Sequence, residues 1–316
     1  MATRSCQIIL AIFLPIFVSS FSTTLHGFEN RQAKHVLTKL YVNKKPDTVV
    51  DLVASRRDLL QSIASIVGWG SILTLSQPQF AYADSPKILV LGGTGFVGSR
   101  IVEKLKEKGI QVVVTSRDGR GGTVAFDVLA PGMDVERYIE TLAKGSFAVI
   151  STIGTIGTAS DDTVNAASGL AAMGAKKAGV ERFVYIGVAP EVKEFAKDID
   201  FFKKYMIGKT FATNLIKSTF PESYTLIEPT FIYGGEEFKT NPPRVAGFYG
   251  SAIEGLLSSA PLRALSSVAP GGFAKVAMEP PVSVDAVADA AVAGALGKAA
   301  LVLDTYDKIN EAAASP

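Results

Sequence analysis

The chain has few of the residues that most often perform chemistry in enzymes. Its single cysteine, two histidines and single tryptophan all lie in the first 83 residues, and they are Cys6, His26, His35 and Trp69. Residues 84–316 therefore offer no thiol and no imidazole. This excludes disulfides, cysteine nucleophiles, Ser-His-Asp triads and the usual Cys/His zinc sites from that part of the chain. Proton chemistry there must use tyrosine, lysine, hydroxyl or carboxyl groups.

A strong charge of either sign is also missing. The chain has 32 basic and 30 acidic residues, of which 8 basic and 4 acidic lie in residues 1–83, so residues 84–316 carry a net charge of −2. A near-neutral body gives no electrostatic reason to expect a nucleic-acid partner. No tight cluster of acidic residues in the sequence indicates a metal site, and none is predicted.

The first 83 residues have the composition of a targeting presequence. Arg4 precedes an apolar run at 8–18, which is too short to span a bilayer and is followed by small residues, as in a secretory signal peptide. Cleavage there would leave Phe21 first, which resembles the plastid-targeting signals of algae with red-derived secondary plastids. Residues 21–54 are rich in Ser, Thr and Lys, which is typical of a transit peptide.

A further export signal follows within the same presequence. Arg56 and Arg57 precede an apolar stretch, and residues 81–83 form an Ala-x-Ala cleavage pattern. The arrangement resembles a twin-arginine thylakoid transfer signal, which predicts that residues 84–316 reach the thylakoid lumen of a plastid. The alternative is that residues 58–75 stay as an anchor, which would leave the protein on the stromal face of the thylakoid.

Residues 87–117 have the pattern of a βαβ unit that binds a dinucleotide. The apolar run "KILVL" leads into the turn "GGTGFVG", then a stretch with helical spacing of apolar residues, then the strand "IQVVVTSR". The three glycines of such a turn permit the sharp bend, the approach of a pyrophosphate, and close packing of helix on strand. The predicted nucleotide contacts in this turn are Gly92, Thr94, Gly95, Phe96, Val97 and Gly98.

The spacing G-x-x-G-x-x-G resembles the short-chain dehydrogenase/reductase superfamily, and "GGTGFVG" is most similar to its extended and atypical, NmrA-like branches. Later segments extend the resemblance over most of residues 86–297, although Glu228 replaces the arginine of the family's R-P-x-x-x-Y-G segment. The resemblance implies an α/β fold, a Rossmann-type doubly wound parallel sheet. It also implies a small C-terminal region, about 236–281, that caps the substrate.

The resemblance also implies further contacts to the cofactor. Arg117, with Ser116, follows the second strand and favours the 2′-phosphate of NADP, whereas the neighbouring Asp118 keeps NAD as the alternative. The third strand is predicted at 123–131, and Asp127 within it would face the adenine. The end of the fourth strand would lie near the nicotinamide ribose. These further predicted contacts are Ser116, Arg117, Asp127, Ser151 and Gly154.

Tyr205 and Lys209 lie four residues apart on a predicted helix after the fifth strand, so they share one face. The resemblance implies that Lys209 binds the cofactor ribose and lowers the pKa of Tyr205, and that Tyr205 is the catalytic acid or base. The Ser or Thr that the family usually places at the end of the fifth strand is missing. Gly187 stands there instead, with Ser151 or Thr152 as the nearest substitutes.

Two functions follow from this pattern. The first is an NADP-dependent oxidoreductase that acts on a lipophilic carbonyl or quinone-like substrate in the plastid, because residues 236–281 contain many apolar side chains. The second is a non-catalytic NAD(P)-binding protein that senses redox state or assists a thylakoid complex, which Gly187 favours. The expected partners are the nucleotide, a lipophilic small molecule, and the thylakoid membrane or one of its complexes.

Overall fold

The computed structural model describes residues 86–235, 239–240, 243–244, 247–259 and 273–315. The predicted presequence of residues 1–83, including the apolar segment at 58–75, lies outside the described residues. The predicted cap at 236–281 is described only in part. Both boundaries therefore stay predictions.

Seven parallel strands form one sheet in the spatial order β3-β2-β1-β4-β5-β6-β11. The order reverses beside β1, as in a doubly wound sheet, and so the predicted Rossmann-type architecture is confirmed. The third strand is only two residues long, shorter than the predicted one, because the chain turns away at Asp127. The strands of this sheet are β1 Lys87–Leu91, β2 Gln111–Ser116, β3 Val124–Ala125, β4 Ala148–Ser151, β5 Arg182–Ile186, β6 Tyr224–Ile227 and β11 Val302–Leu303.

Helices cover both faces of this sheet. A short 3-10 turn at Arg120–Gly122 links β2 to β3. Among the described residues, no helix combines the length and hydrophobicity that a membrane span requires. The helices are α1 Phe96–Glu107, α2 Val135–Leu142, α3 Asp161–Lys177, α4 Pro190–Ala196, α5 Asp200–Thr219, α6 Gly247–Leu257, α7 Phe273–Met278, α8 Val284–Ala295 and α9 Tyr306–Ala313.

The core lies in two layers because residues along each strand alternate between the two faces of the sheet. In β1, Ile88 and Val90 pack with α1, α8 and α9. Leu89 and Leu91 pack with α2, α3 and α5 on the other face. Burial on both faces explains why the central strands are continuous apolar runs rather than alternating ones.

Glycines bring α3 and α5 unusually close together. A Cβ built on Gly208 of α5 would lie 2.5 Å from the carbonyl oxygen of Asp162, and one on Gly169 of α3 would lie 3.0 Å from the Cα of Ala212. Only glycine permits so close an approach of two backbones. Lys209 follows Gly208 on α5, and its amine contacts the carbonyl of Ile186 at the end of β5.

The remaining strands lie outside the main sheet. β7 Ile232–Tyr233 pairs in parallel with β10 Val282–Ser283, and β8 Lys239–Thr240 pairs with β9 Pro243–Arg244 in an antiparallel hairpin. The first pairing brings the segment after β6 next to the segment before α8. The described part of the predicted cap at 236–281 consists of β8, β9, α6 and α7, and the role of the cap stays a prediction.

Candidate functional site

The glycine-rich turn between β1 and α1 has the backbone geometry that its sequence predicts. Gly92 has φ +77°, and its N–H donates to the hydroxyl of Thr115 at 3.1 Å. Gly95 closes the turn by donating to the carbonyl of Gly92 at 2.9 Å. A Cβ on Gly98 would lie 2.3 Å from that same carbonyl oxygen, so α1 can pack there only through glycine.

The turn is also held from the neighbouring strand. Thr152, just after β4, donates its hydroxyl to the carbonyl of Leu91 at 2.9 Å. The hydroxyl of Ser151 is fully buried and pairs with that of Ser168 on α3 at 2.8 Å. Both hydroxyls are therefore engaged in structural hydrogen bonds. Neither is a ready substitute for the hydroxyl missing at Gly187, and the role of Ser151 as a ribose contact stays a prediction.

The end of β2, where the ribose of an adenosine is expected, carries charges of both signs. The Ser116 hydroxyl pairs with that of Thr123 at 2.6 Å and donates to Asp118 at 3.2 Å. Burial alone would raise the pKa of Asp118, but the backbone N–H groups of Arg120 and Asp118, the Arg120 charge and the Ser116 hydroxyl lower it overall. Arg117 is exposed and makes no hydrogen bond or ion pair with any described residue.

Asp127 lies where the chain turns away after β3. One carboxylate oxygen accepts a hydrogen bond from the N–H of Leu129 at 3.0 Å, which fixes the turn. Phe126 beside it is buried and stacks on Tyr138, with ring centroids 5.5 Å apart. The turn thus rests on the core, and the other oxygen of Asp127 is not needed to hold it.

Lys209 lies close to Gly154, which follows the end of β4, and Tyr205 lies beside Lys209. Lys209 is buried and donates from its amine to the carbonyl oxygen of Ile186, the last residue of β5, at 2.9 Å. The amine lies 5.8 Å from the ring centroid of Tyr205 and 4.8 Å from that of Tyr185. A Cβ on Gly154 would lie 3.4 Å from the amine, so the backbone at Gly154 approaches Lys209 closely.

Burial sets the pKa values of this pair. The pKa of Lys209 is lowered to about 7, mainly by desolvation and in smaller part by the Lys193 charge, while the Glu228 charge opposes the shift. Desolvation, together with the charge of Asp161, raises the pKa of Tyr205. The resemblance implied a lowered pKa for Tyr205, and the described geometry gives the opposite direction because the phenol is desolvated near a carboxylate.

Two polar side chains of this site were not singled out from the sequence. Tyr185 is fully buried on β5, and its hydroxyl has no hydrogen-bond partner among the described residues. Asn165 on α3 donates from its side chain to the carbonyls of Thr155 and Asp161, both at 2.7 Å, while its buried amide oxygen has no partner within the described part of the chain. A Cβ on Gly154 would lie 3.0 Å from that oxygen.

Neither residue carries a signal that distinguishes it in the sequence. Tyr185 lies in an ordinary apolar strand, and Asn165 lies in a helix rich in alanine.

The space at Gly187 is filled by a carboxylate. A Cβ on Gly187 would lie 3.0 Å from Cγ and 3.1 Å from Oε1 of Glu228, which is 5% exposed. The N–H of Gly187 donates to the carbonyl of Ile227 at 2.8 Å, so this contact follows from the pairing of β5 with β6. Glu228 therefore occupies the room that a Ser or Thr side chain would need.

The described residues fit a dinucleotide. A Cβ on Gly95 would meet only the carbonyl oxygen of Gly92, at 3.2 Å, so the approach to the turn and to the start of α1 is open. No side chain caps α1, and the first N–H groups of a helix have no intrahelical acceptor, which suits a pyrophosphate. The buried amine of Lys209 at the neighbouring strand ends suits ribose hydroxyls.

Comparison with known proteins agrees with this geometry. The family model described as NAD(P)H-binding matches residues 92–247, which include the glycine-rich turn and the Tyr205–Lys209 pair. The chain is 32% identical over 249 residues to an uncharacterized chloroplastic protein of Arabidopsis thaliana, a match that covers 73% of this chain and 78% of that protein. The chain belongs to the NAD(P)H-binding family.

Solved structures are similar to this member of the NAD(P)H-binding family at lower coverage. The oxidoreductase ylbE of Lactococcus lactis is 26% identical, with a TM-score of 0.40, over 48% of this chain and 71% of that one. The enzyme WbmH of Bordetella bronchiseptica, solved with NAD+, is 19% identical, with a TM-score of 0.47, over 69% of this chain and 73% of that one. The assignment to the family rests on the sequence matches and the strand order.

Proposed function

We propose that this chain is an NADP-dependent oxidoreductase of the short-chain dehydrogenase type that acts on a lipophilic carbonyl or quinone-like substrate in the plastid. The observation that carries the proposal is the buried amine of Lys209. It lies 4.8 Å from the ring centroid of Tyr185 and 5.8 Å from that of Tyr205, and the backbone approaches it closely at Gly154. A lysine is rarely buried without a role, and perturbed titratable groups gather at active sites.

The protonation state of Tyr205 suits reduction of the substrate, although a raised pKa also makes the phenol a weaker acid than free tyrosine. Because burial and Asp161 raise the pKa of its phenol, Tyr205 stays protonated at neutral pH and holds a proton to give. A general base would need the opposite shift. We therefore propose that Tyr205 donates a proton to the substrate oxygen as the reaction proceeds.

The other residues bind and orient. Bound NAD(P)H supplies the hydride. Lys209 would hold the ribose hydroxyls, and the glycine-rich turn with the start of α1 would hold the pyrophosphate. Thr152 keeps that turn fixed to the end of β4. The proposed nucleotide contacts remain the predicted set, with Thr94 and Gly95 exposed at the turn and Phe96 and Val97 opening α1.

The proposed preference for NADP rests on the charges after β2. Arg117 is exposed and unpaired within the described residues, so its guanidinium is available to a 2′-phosphate. Asp118 is engaged by Ser116 and lies 3.4 Å from the side chain of Arg120, which reduces its value as a ribose acceptor. NAD is the alternative that Asp118 supports.

The lipophilic substrate is proposed from the partly described cap. Leu256 on α6 is 53% exposed, and the surrounding segment is rich in apolar residues. An apolar cap would select a ligand with a large apolar surface, since burial of that surface supplies most of the binding free energy. Phe248 and Tyr249 belong to the same segment.

Plastid localisation is proposed from the presequence and from the chloroplastic relative. On this proposal residues 1–83 are removed and residues 84–316 act in the thylakoid lumen. If residues 58–75 are retained as an anchor, the protein acts on the stromal face of the thylakoid membrane. Mass analysis of the N-terminal peptide of the native protein is expected to show Asp84 as the first residue. A peptide from residues 58–75 in the native protein would overturn removal of the segment.

A non-catalytic role is the second candidate, and one observation favours it. Glu228 fills the space at Gly187, so the hydroxyl that usually holds the substrate carbonyl is absent and its room is taken. A chain of this kind would still bind nucleotide through the turn and Lys209. It would then sense redox state or assist a thylakoid complex.

Titration and turnover together test the two candidates. We expect the full-length chain to bind NADPH more tightly than NADH, and to oxidise NADPH in the presence of menadione, a two-ring quinone. NADPH binding without turnover on menadione or on other quinones and carbonyls would favour the non-catalytic role. Failure to bind either nucleotide would contradict both candidates, and tighter binding of NADH would overturn the NADP preference alone.

A further inference from the structure

We propose that Lys193 donates the hydrogen bond that holds the substrate oxygen, in place of the hydroxyl that is absent at Gly187, and that Glu228 positions Lys193 for this role. This inference rests on the proposed oxidoreductase function. It assigns a catalytic residue and a positioning residue that the sequence pattern does not mark.

The contact between Glu228 and Gly187 shows where the replacement lies. Oε1 of Glu228 would be 3.1 Å from a Cβ at Gly187, so the carboxylate stands at the place of the usual side chain. A carboxylate cannot by itself hold a carbonyl oxygen, because both groups accept hydrogen bonds. A donor must therefore stand with it.

Lys193 is that donor. It lies on α4, which begins directly after the loop that follows Gly187, and its backbone N–H donates to the carbonyl of Ala189 at 3.0 Å. Its amine donates to Oε1 of Glu228 at 2.6 Å. The side chain of Lys193 is 31% exposed while that of Glu228 is 5% exposed, so the pair is open on the side of the lysine. An ammonium has three donors, and Glu228 accepts one.

The pair lies close enough to the proposed proton donor to share its electrostatics. Lys209 contacts the carbonyl of Ile186, and Glu228 lies against the next residue of the same strand end. The charges of Lys193 and Glu228 both act on Lys209, in opposite directions, and the charge of Glu228 also acts on Tyr185. The pair and the Tyr205–Lys209 pair therefore border one site at the end of β5.

The proposed reduction requires a hydrogen-bond donor at the substrate oxygen. Negative charge develops on the substrate oxygen as hydride reaches the carbon, and a preorganised donor stabilises that charge. An ammonium forms a stronger hydrogen bond to such an oxygen than a neutral hydroxyl does. The oxygen then takes its proton from Tyr205, and Tyr205 regains a proton from solvent. A carbonyl thereby becomes an alcohol. A quinone gives a hydroxydienone, which becomes the hydroquinone when the hydrogen on the reduced carbon leaves as a proton and the second oxygen takes up a proton. Lys193 keeps its protons throughout.

Substitution of Lys193 tests its role with a matched control on the same segment. Lys193→Met keeps the length of the side chain and removes the donor, Lys193→Arg restores a charged donor, and Lys197→Met removes an exposed lysine that pairs with Glu194. In the full-length chain we expect Lys193→Met to weaken menadione binding and to lower kcat/KM for menadione about 10- to 100-fold. Lys193→Arg should recover most of the loss, and Lys197→Met should match the wild type.

Two readouts separate this inference from the proposed function. Calorimetry of menadione binding to the NADP+-loaded chain needs no turnover, and the NADP+ affinity measured beside it reports whether the nucleotide site is intact. If the wild type binds menadione without reducing it, the function fails while a loss of binding in Lys193→Met still supports the inference. Equal menadione affinity in wild type and Lys193→Met, or no menadione binding to the wild type, would overturn it.

Discussion

Tyr205→Phe is expected to lower kcat for menadione reduction roughly 10²- to 10⁴-fold, the range usual for loss of a general acid. The substitution removes only the hydroxyl. That hydroxyl has no hydrogen-bond partner within the described part of the chain, so folding should be unaffected. NADPH affinity should also be unchanged, because Lys209 and the glycine-rich turn remain. Steady-state kinetics with a parallel NADPH titration measures both.

The control for this substitution is Tyr224→Phe. Tyr224 begins β6 and is partly buried, and it lies at the opposite end of its strand from Glu228. We expect its kinetics to match the wild type. Turnover that is unchanged in Tyr205→Phe would remove Tyr205 from the mechanism, whereas a loss of NADPH binding together with turnover would indicate a disturbed nucleotide site.

Gly98→Ala and Gly95→Ala are expected to separate folding from nucleotide binding. At Gly98 the new Cβ would lie 2.3 Å from the carbonyl oxygen of Gly92 and 2.8 Å from the Cα of Gly93, and backbone atoms cannot move aside cheaply. We expect a loss of stability of about 1–3 kcal/mol, the usual cost of overpacking, and a loss of NADPH binding. Thermal denaturation and NADPH titration measure the two effects.

Gly95→Ala should behave differently. Its Cβ would meet only the carbonyl oxygen of Gly92, at 3.2 Å, but it would enter the space through which a pyrophosphate approaches the turn. Stability should therefore change little while NADPH affinity falls at least tenfold, an order-of-magnitude expectation for a blocked contact. Gly255→Ala on α6, where a Cβ would meet nothing within 4 Å, is the control for alanine itself. Equal loss of stability at Gly95 and Gly98 would contradict this explanation.

The parts of the fold that depend on local sequence could be predicted, because their constraints lie within a few residues of one another. The turn at Gly92, Gly95 and Gly98 is specified by a strand, three spaced glycines and a helix in immediate succession. The Tyr205–Lys209 pair is likewise set by the helical repeat. The structure places both features at the same end of the sheet.

The composition of the site around Gly187 could not be predicted in the same way. Glu228 reaches Gly187 only because β5 pairs with β6 in the register that sets Ile186 opposite Ile227. The sequence shows both departures from the family pattern, at Gly187 and at Glu228, but it does not show that the two residues are in contact. The direction of the pKa shift at Tyr205 could not be predicted for a related reason, since desolvation depends on which helices cover the phenol.

The contact between Gly187 and Glu228 also constrains how such a chain can change over evolutionary time. A serine at position 187 would crowd the carboxylate of Glu228. An arginine at position 228 would carry the same charge as Lys193 and would repel it instead of pairing with it. Either step taken alone passes through a poorly packed or electrostatically repulsive intermediate. A change at either position is therefore expected to be tolerated only together with a change at the other.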